Sequence, residues 1–101
     1  MPPTPPPAEP WPFQENKNTA VIADAHFLKG GEPCVYVSHD AEDACWQFLA
    51  PDFDGEMDRA LVVSLASVLA KDPTLCELHD MPLGWYATRK SAHENWLRYK
   101  R

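Results

Sequence analysis

The segment from Cys34 to Leu49 constrains the fold of this 101-residue chain more than any other. Two apolar, β-prone runs flank five polar or small residues, a pattern that is typical of a β-hairpin with a short turn. The pattern predicts strands over 34–38 and 44–50, with acidic residues at the exposed tip between them. A small antiparallel sheet that presents carboxylates at one end is therefore the expected scaffold.

Further elements follow from apolar runs and from capping residues. The runs at 19–24, 60–64 and 85–89 predict three more strands. Ser64 is a candidate N-cap for a helix over 65–71, and Asp72 followed by Pro73 is a candidate start for a second short helix near 73–79. The segment 57–70 also fits one continuous helix, because several of its apolar residues recur at helical spacing.

These elements predict an α+β fold, in which an antiparallel sheet of four or five strands packs against one or two short helices. Trp96 is expected to return and cover an edge of the sheet. The core is expected to consist of apolar residues from the predicted elements: Val21, Val35, Val37, Trp46, Phe48, Val63, Leu65, Leu69 and Trp85.

The chain divides into a tail and a single domain. Residues 1–16 are rich in proline, which favours an extended or disordered tail, and residues 17–101 form the predicted α+β domain. Trp11 and Phe13, near the end of the tail, are candidates to fold back onto the domain.

Charge and cysteine content limit the classes of partner. The formal net charge of −6 at pH 7 disfavours nucleic acid and anionic membrane surfaces, which attract clustered Lys and Arg, and favours proteins with basic surfaces. The three cysteines show no C-x-x-C spacing, and the sequence shows neither a signal peptide nor an apolar run long enough to cross a bilayer. We therefore expect a cytoplasmic protein with reduced cysteines; the sequence leaves its oligomeric state open.

No motif for catalysis or for a cofactor is recognisable. The four histidines lack metal-ligand spacing, and the loop 52–58 departs from a calcium-binding loop because Met57 stands where that loop requires glycine. His39 and Asp40 follow the predicted strand over 34–38; because adjacent residues on a strand point to opposite faces, the two form an acid–base pair only if the turn bends them together. The sequence thus predicts a protein without enzymatic activity, cofactor or metal. The alternative is a small metal-dependent or acid–base hydrolase built around His39, Asp40 and the 52–58 carboxylates.

The remaining functional signal is a run of carboxylates between residues 40 and 58, a segment that contains no lysine or arginine. We expect these side chains to bind a protein partner, because an acidic surface accelerates docking onto a basic one. The sequence does not decide whether the turn and the loop form one patch. The candidate partner-binding residues are Asp40, Glu42, Asp43, Asp52, Asp54, Glu56 and Asp58.

Several phrases of the chain resemble a bacterial family of small uncharacterised proteins, related to the domain-of-unknown-function group also called immunity protein 33. The phrases are Gly30–Pro33, Tyr36–Asp40, Trp46–Phe48, Val62–Leu65, Asp72–Leu75 and Asp80–Trp85. The resemblance covers roughly residues 19–98. It implies a small α+β domain that neutralises a toxin by binding it, and it carries over no catalytic residue. His39-Asp40 and Cys45 depart from the residues expected at those positions in the immunity-like branch.

Overall fold

A computed structural model describes residues 11–55 and 58–101 of the chain. These residues form six strands and three short helices. The helices are α1 (Ala25–Leu28), α2 (Leu65–Lys71) and a 3₁₀ helix (Pro73–Leu78). The strands are β1 (Ala20–Asp24), β2 (Tyr36–His39), β3 (Trp46–Leu49), β4 (Ala60–Ser64), β5 (Trp85–Thr88) and β6 (Leu97–Lys100). No helix in the described ranges has the length and apolarity that a membrane-spanning helix requires.

The six strands form one mixed sheet in the order β4-β1-β3-β2-β5-β6. The α+β class is confirmed, but the prediction of four or five antiparallel strands is wrong on two counts. First, β1 pairs with β3 in parallel, a contact between distant segments that no local pattern encodes. Second, β6 is a sixth strand, and all four of its residues are exposed, so it lacks an apolar run that would mark it.

The predicted hairpin is present, with strands shorter than expected. β2 and β3 pair in antiparallel register from Tyr36 opposite Leu49 to His39 opposite Trp46. The backbone amide of Asp40 donates to the carbonyl of Cys45 at 2.9 Å and closes the turn. Ala44 takes a φ of +59°, a left-handed conformation that is uncommon for a residue with a side chain. Asp40, Glu42 and Asp43 therefore lie in a tight turn that a backbone hydrogen bond closes.

The predicted helix starts are also confirmed. The Ser64 hydroxyl accepts from the amide of Ser67 at the start of α2, and Asp72 accepts from the amide of Thr74 at the start of the 3₁₀ helix. The segment 57–70 is therefore not one helix, since β4 precedes α2. The sequence did not predict α1, which is capped by Asp24.

The hydrophobic core lies between one face of the sheet and the three helices. We call this sheet face the covered face and the opposite one the open face. Val35, Val63 and Trp85 were predicted in the core, but all three are only partly buried. Val63 and Trp85 pack against the core, and Val35 does not belong to it. The fully buried side chains of the core include Val21, Val37, Trp46, Phe48, Leu65, Val68, Leu75, Leu78 and Met81.

Residues 11–16, which we call the N-terminal strap, pack on the covered face. The ring of Phe13 is almost fully buried and contacts the Trp46 ring edge-on, with 5.2 Å between the ring centroids. A Glu15 carboxylate oxygen accepts from the Trp46 indole nitrogen at 2.8 Å. The strap therefore belongs to the folded domain, which starts before residue 17. The proline-rich segment 1–10 lies outside the described residues.

A buried arginine joins the last part of the chain to the sheet. Arg89 donates from Nε to the carbonyl of Cys34 at 2.9 Å and from Nη2 to the carboxylate of Asp72 at 2.8 Å. Its guanidinium stacks on the ring of Trp96 at 4.3 Å, so Trp96 covers this arginine and joins the core. Burial alone would raise the pKa of Asp72, but hydrogen bonds from Thr74 and Arg89 hold it below its ordinary value.

Candidate functional site

The open face of the sheet carries a row of stacked tyrosines. Tyr36 on β2 and Tyr86 on β5 lie with their ring centroids 5.6 Å apart, and Tyr86 lies 5.3 Å from Tyr99 on β6. We call these three residues the tyrosine ladder. Val62 and Leu97 on the same face are more than half exposed. The helices cover only the other face, so this aromatic surface is accessible.

Beside the ladder lies a concavity of about 940 Å³. Its volume is at the upper end of the range that is usual for ligand sites. The floor is formed by open-face residues of the central strands β2, β3 and β5: Tyr36, Ser38, Gln47, Leu49 and Thr88. Each end of the floor is closed by one of the two acidic segments that the sequence singled out.

At one end the concavity is bounded by the β2–β3 turn, through Asp40, Glu42 and Asp43. The carboxylate of Asp40 accepts from the side-chain amide of Gln47 at 2.6 Å, which fixes it above the floor. The carboxylate of Asp43 accepts from the backbone amide of Cys45 at 2.9 Å. Glu42 is exposed. This turn, which we call the turn end, thus presents three carboxylates to the concavity.

At the opposite end the concavity is bounded by Pro51, Asp52 and Phe53, which we call the loop end. Asp52 is exposed and has a φ of +63°. The guanidinium of Arg59 holds this segment, since it donates to the carbonyl of Asp52 at 3.1 Å and to that of Pro51 at 3.2 Å. The ring of Phe53 lies 5.6 Å from the same guanidinium.

Arg59 is itself held by a buried carboxylate. Asp24, which has no exposed surface, accepts from Arg59 at 2.8 and 3.1 Å and from the amides of His26 and Ala50 at 3.0 Å each. Burial by itself would raise the pKa of Asp24, but the bonds from Arg59 and the two amides lower it below its ordinary value of 3.8. We call Asp24 and Arg59 the clamp, because they tie the loop end to β1.

The two acidic segments do not form one patch. They lie at opposite ends of β3, and four carboxylates line the same concavity from its two ends: Asp40, Glu42, Asp43 and Asp52. Asp54 and Asp58 are exposed but do not line it. Glu56, the remaining residue of the predicted set, lies outside the described residues.

His39, the last residue of β2, and Asp40, the first residue of the turn, point to opposite faces. His39 is buried on the covered face, where its ring stacks on Trp46 with 4.0 Å between centroids. Its Nδ1 donates to the carbonyl of Met81 at 2.8 Å, and its Nε2 lies 3.4 Å from a carboxylate oxygen of Glu15. His39 is therefore placed with the strap and not with Asp40 or the loop end. Among residues 11–55 and 58–101, no three His, Cys, Asp or Glu side chains are placed to share a metal ion.

Sequence reasoning missed the aromatic and cationic part of the site. The Arg101 guanidinium lies 5.2 Å from the Tyr86 ring centroid and donates to the Tyr36 hydroxyl. The alternation of apolar and basic residues over 97–100 is a weak strand signal that would have found Tyr99. No local signal joins Tyr36 to Tyr86, because only strand pairing brings them together.

The chain was compared with protein-family models, with curated proteins and with solved structures, and no match was found in any of the three comparisons. The resemblance to the immunity-like proteins therefore stays a prediction from the sequence.

Proposed function

We propose that this protein is a non-enzymatic binding module that holds a basic protein partner in the concavity of the open face. The observation that carries this proposal is the position of Asp40, Glu42 and Asp43 at one end of the concavity and Asp52 at the other. The proposal needs no covalent chemistry from the chain, only a surface of fixed shape and charge.

Electrostatics favours a cationic partner. Four carboxylates line the concavity together with two arginines, Arg89 and Arg101, of which Arg89 is already paired with Asp72. This excess of negative charge, on a chain with a formal net charge of −6, attracts the opposite charge. This arrangement raises the rate of encounter and rejects acidic partners. The turn end is ordered by its own hydrogen bonds, so little entropy is lost when it binds.

The tyrosine ladder adds contact energy to this charge. Tyrosine is enriched among the residues that dominate binding energy at protein interfaces, because its ring supplies a large apolar area and its hydroxyl a polar contact. Tyr99 is 43% exposed, and Tyr36 lines the concavity itself. Apolar contacts on the ladder and ion pairs at the acidic ends would then act together.

A toxin with a basic cleft is one partner of this class. The resemblance to immunity-like proteins supports it, and so does the chemistry, since enzymes that act on nucleic acid carry basic clefts to bind phosphate. An acidic, concave protein that covers such a cleft would neutralise the enzyme by excluding its substrate.

Two charge-matched variants test the proposal. The rim variant carries Glu42→Gln, Asp43→Asn and Asp52→Asn, and the control variant carries Glu77→Gln, Asp80→Asn and Glu94→Gln, three carboxylates that do not line the concavity. Each loses three negative charges, so non-specific attraction falls equally in both. Wild type and variants would be immobilised, and the proteins retained from an extract of the native cells would be quantified by mass spectrometry.

We expect a basic protein that wild type and the control variant retain and the rim variant loses. Its retention should weaken when ionic strength is raised from about 0.01 M to about 1 M, which shortens the Debye length from about 30 Å to about 3 Å. Equal retention of every protein by the rim and control variants would refute the proposal.

A further inference from the structure

We infer that the concavity accepts an extended peptide segment of its partner, with two lysine or arginine side chains six positions apart. This inference rests on the proposed function and specifies the form of the partner. It follows from the length of the concavity, from the distribution of charge along it, and from the chemistry of its floor.

The length comes from β3, which runs along the floor from one acidic end to the other. From Ala44, which follows the turn end, to Ala50, which precedes the loop end, the chain takes six steps, and the extended strand β3 forms the central part of this span. At about 3.3 Å per residue, six steps span about 20 Å. An extended peptide lying along β3 therefore needs six steps to bring one residue to each end.

The spacing of six positions also agrees with the alternation of side chains along an extended peptide. Side chains alternate between the two sides of an extended chain, so residues six apart point the same way. Both cationic side chains can then face the sheet, one reaching the carboxylates of Glu42 and Asp43 and the other that of Asp52. Residues at odd separation would turn one of the two charges toward solvent.

The middle of the segment should be uncharged. Arg101 also lines the concavity; its guanidinium lies between the Tyr86 ring and the Tyr36 hydroxyl and would repel a lysine or arginine placed over it. The floor itself offers Leu49, the Tyr36 ring and the polar side chains of Gln47 and Thr88. Small or apolar residues between two terminal cations therefore complement the concavity, and a uniformly basic segment does not.

The chain's own proline-rich segment is a poor occupant by the same criterion. Residues 1–16 contain no lysine or arginine and include Glu9 and Glu15. Such a segment offers no side-chain cation to the carboxylates at either end of the concavity. The complementary occupant is thus a basic segment of another protein.

Two peptides of equal composition test the inference on the isotope-labelled full chain. Both contain two lysines together with alanine, serine and threonine; the lysines are six positions apart in the long-spaced peptide and three apart in the short-spaced one. Their affinities and binding positions would be measured by NMR titration of the backbone amides. We expect the long-spaced peptide to bind about fivefold more tightly, because only it forms ion pairs at both ends. Amide signals of Glu42, Asp43 and Asp52 should shift.

The Asp52→Asn variant sharpens this test. It should reduce the affinity of the long-spaced peptide to that of the short-spaced one and leave the short-spaced peptide unchanged, whereas Asp80→Asn should alter neither. Equal affinity of the two peptides for wild type, or shifts confined to the covered face, would overturn the inference.

The two proposals fail in different ways. If the rim variant loses a folded basic protein in the capture experiment while neither peptide shifts the concavity amides, the extended-peptide inference is wrong and the binding function stands. If capture shows no dependence on the rim, the function itself is wrong. Binding of a synthetic copy of residues 1–16 in place of the basic peptides would overturn the charge argument.

Discussion

Removing the charge of Asp24 should destabilise the fold by about 3 kcal/mol, the lower end of the range for breaking a buried ion pair by changing one partner. Asp24→Asn keeps the shape of the side chain but leaves the Arg59 guanidinium without its counter-charge. Four N–H donors, from Arg59, His26 and Ala50, converge on the two carboxylate oxygens of Asp24. An asparagine offers them only one acceptor oxygen. The loss stays at the lower end because Arg59 keeps the carbonyls of Pro51 and Asp52.

Asp80→Asn is the matched control. Its carboxylate pairs with Arg98 at the same 2.8 Å, but the Asp80 side chain is 62% exposed, whereas that of Asp24 has no exposed surface. Exposed pairs contribute at most about 1 kcal/mol. Urea unfolding followed by circular dichroism gives the free energy of unfolding of each variant. A loss of about 3 kcal/mol corresponds to a melting temperature lower by about 12–24 °C for Asp24→Asn. A loss below about 1 kcal/mol for Asp24→Asn, or equal losses for the two variants, would refute the assignment of Asp24 as a buried clamp.

Three further outcomes are expected. Because the pKa of Asp24 is lowered on folding, its stabilising contribution is complete above the unfolded pKa near 3.8 and is lost as pH falls through the lower folded pKa. Urea unfolding of wild type and of Asp24→Asn between neutral pH and pH 2 should therefore give free energies of unfolding that converge at the acidic end. Phe13→Ala should lower the free energy of unfolding by about 3–5 kcal/mol in the same assay, since it empties a buried site. Gln14→Ala, at an exposed position, should change it by less than about 0.5 kcal/mol. Equal effects of the two variants would mean that the strap does not contribute to the core. Cys34, whose pKa burial raises to about 12, should resist alkylation by iodoacetamide in the native protein and react once urea is added, as followed by mass spectrometry of its peptide; rapid labelling without urea would contradict its burial.

The sequence predicted the elements that local chemistry determines. The hairpin, the strand at 60–64 and the caps at Ser64 and Asp72 all depend on residues a few positions apart, and all are present. The parallel pairing of β1 with β3 depends on two segments about 25 residues apart, as in the pair Ile22 and Gln47, and has no local signature. β6 was missed because Leu97 and Tyr99 alternate with basic residues over only four positions, which is a weak strand signal, and both residues remain exposed.

The acidic part of the candidate site was predicted in composition but not in arrangement. Charge alone identified Asp40, Glu42, Asp43 and Asp52, because acidic side chains stand out in any sequence. That the turn and the loop lie at opposite ends of one concavity depends on the length of β3 and on which face each side chain occupies. Alternation along a strand is a local rule and argued against a pair of His39 and Asp40, but only the structure shows that the turn does not bend the two side chains together.

The central position of β2, β3 and β5 in the sheet determines which groups the floor of the concavity can offer to a guest. The backbone groups of these strands are already engaged with neighbours on both sides, so a guest cannot extend the sheet there and must be read through side chains alone. The open-face side chains at the floor contribute little to the packing beneath the other face. Exchanging them should therefore change which chemical groups the floor offers to a guest while leaving the architecture intact.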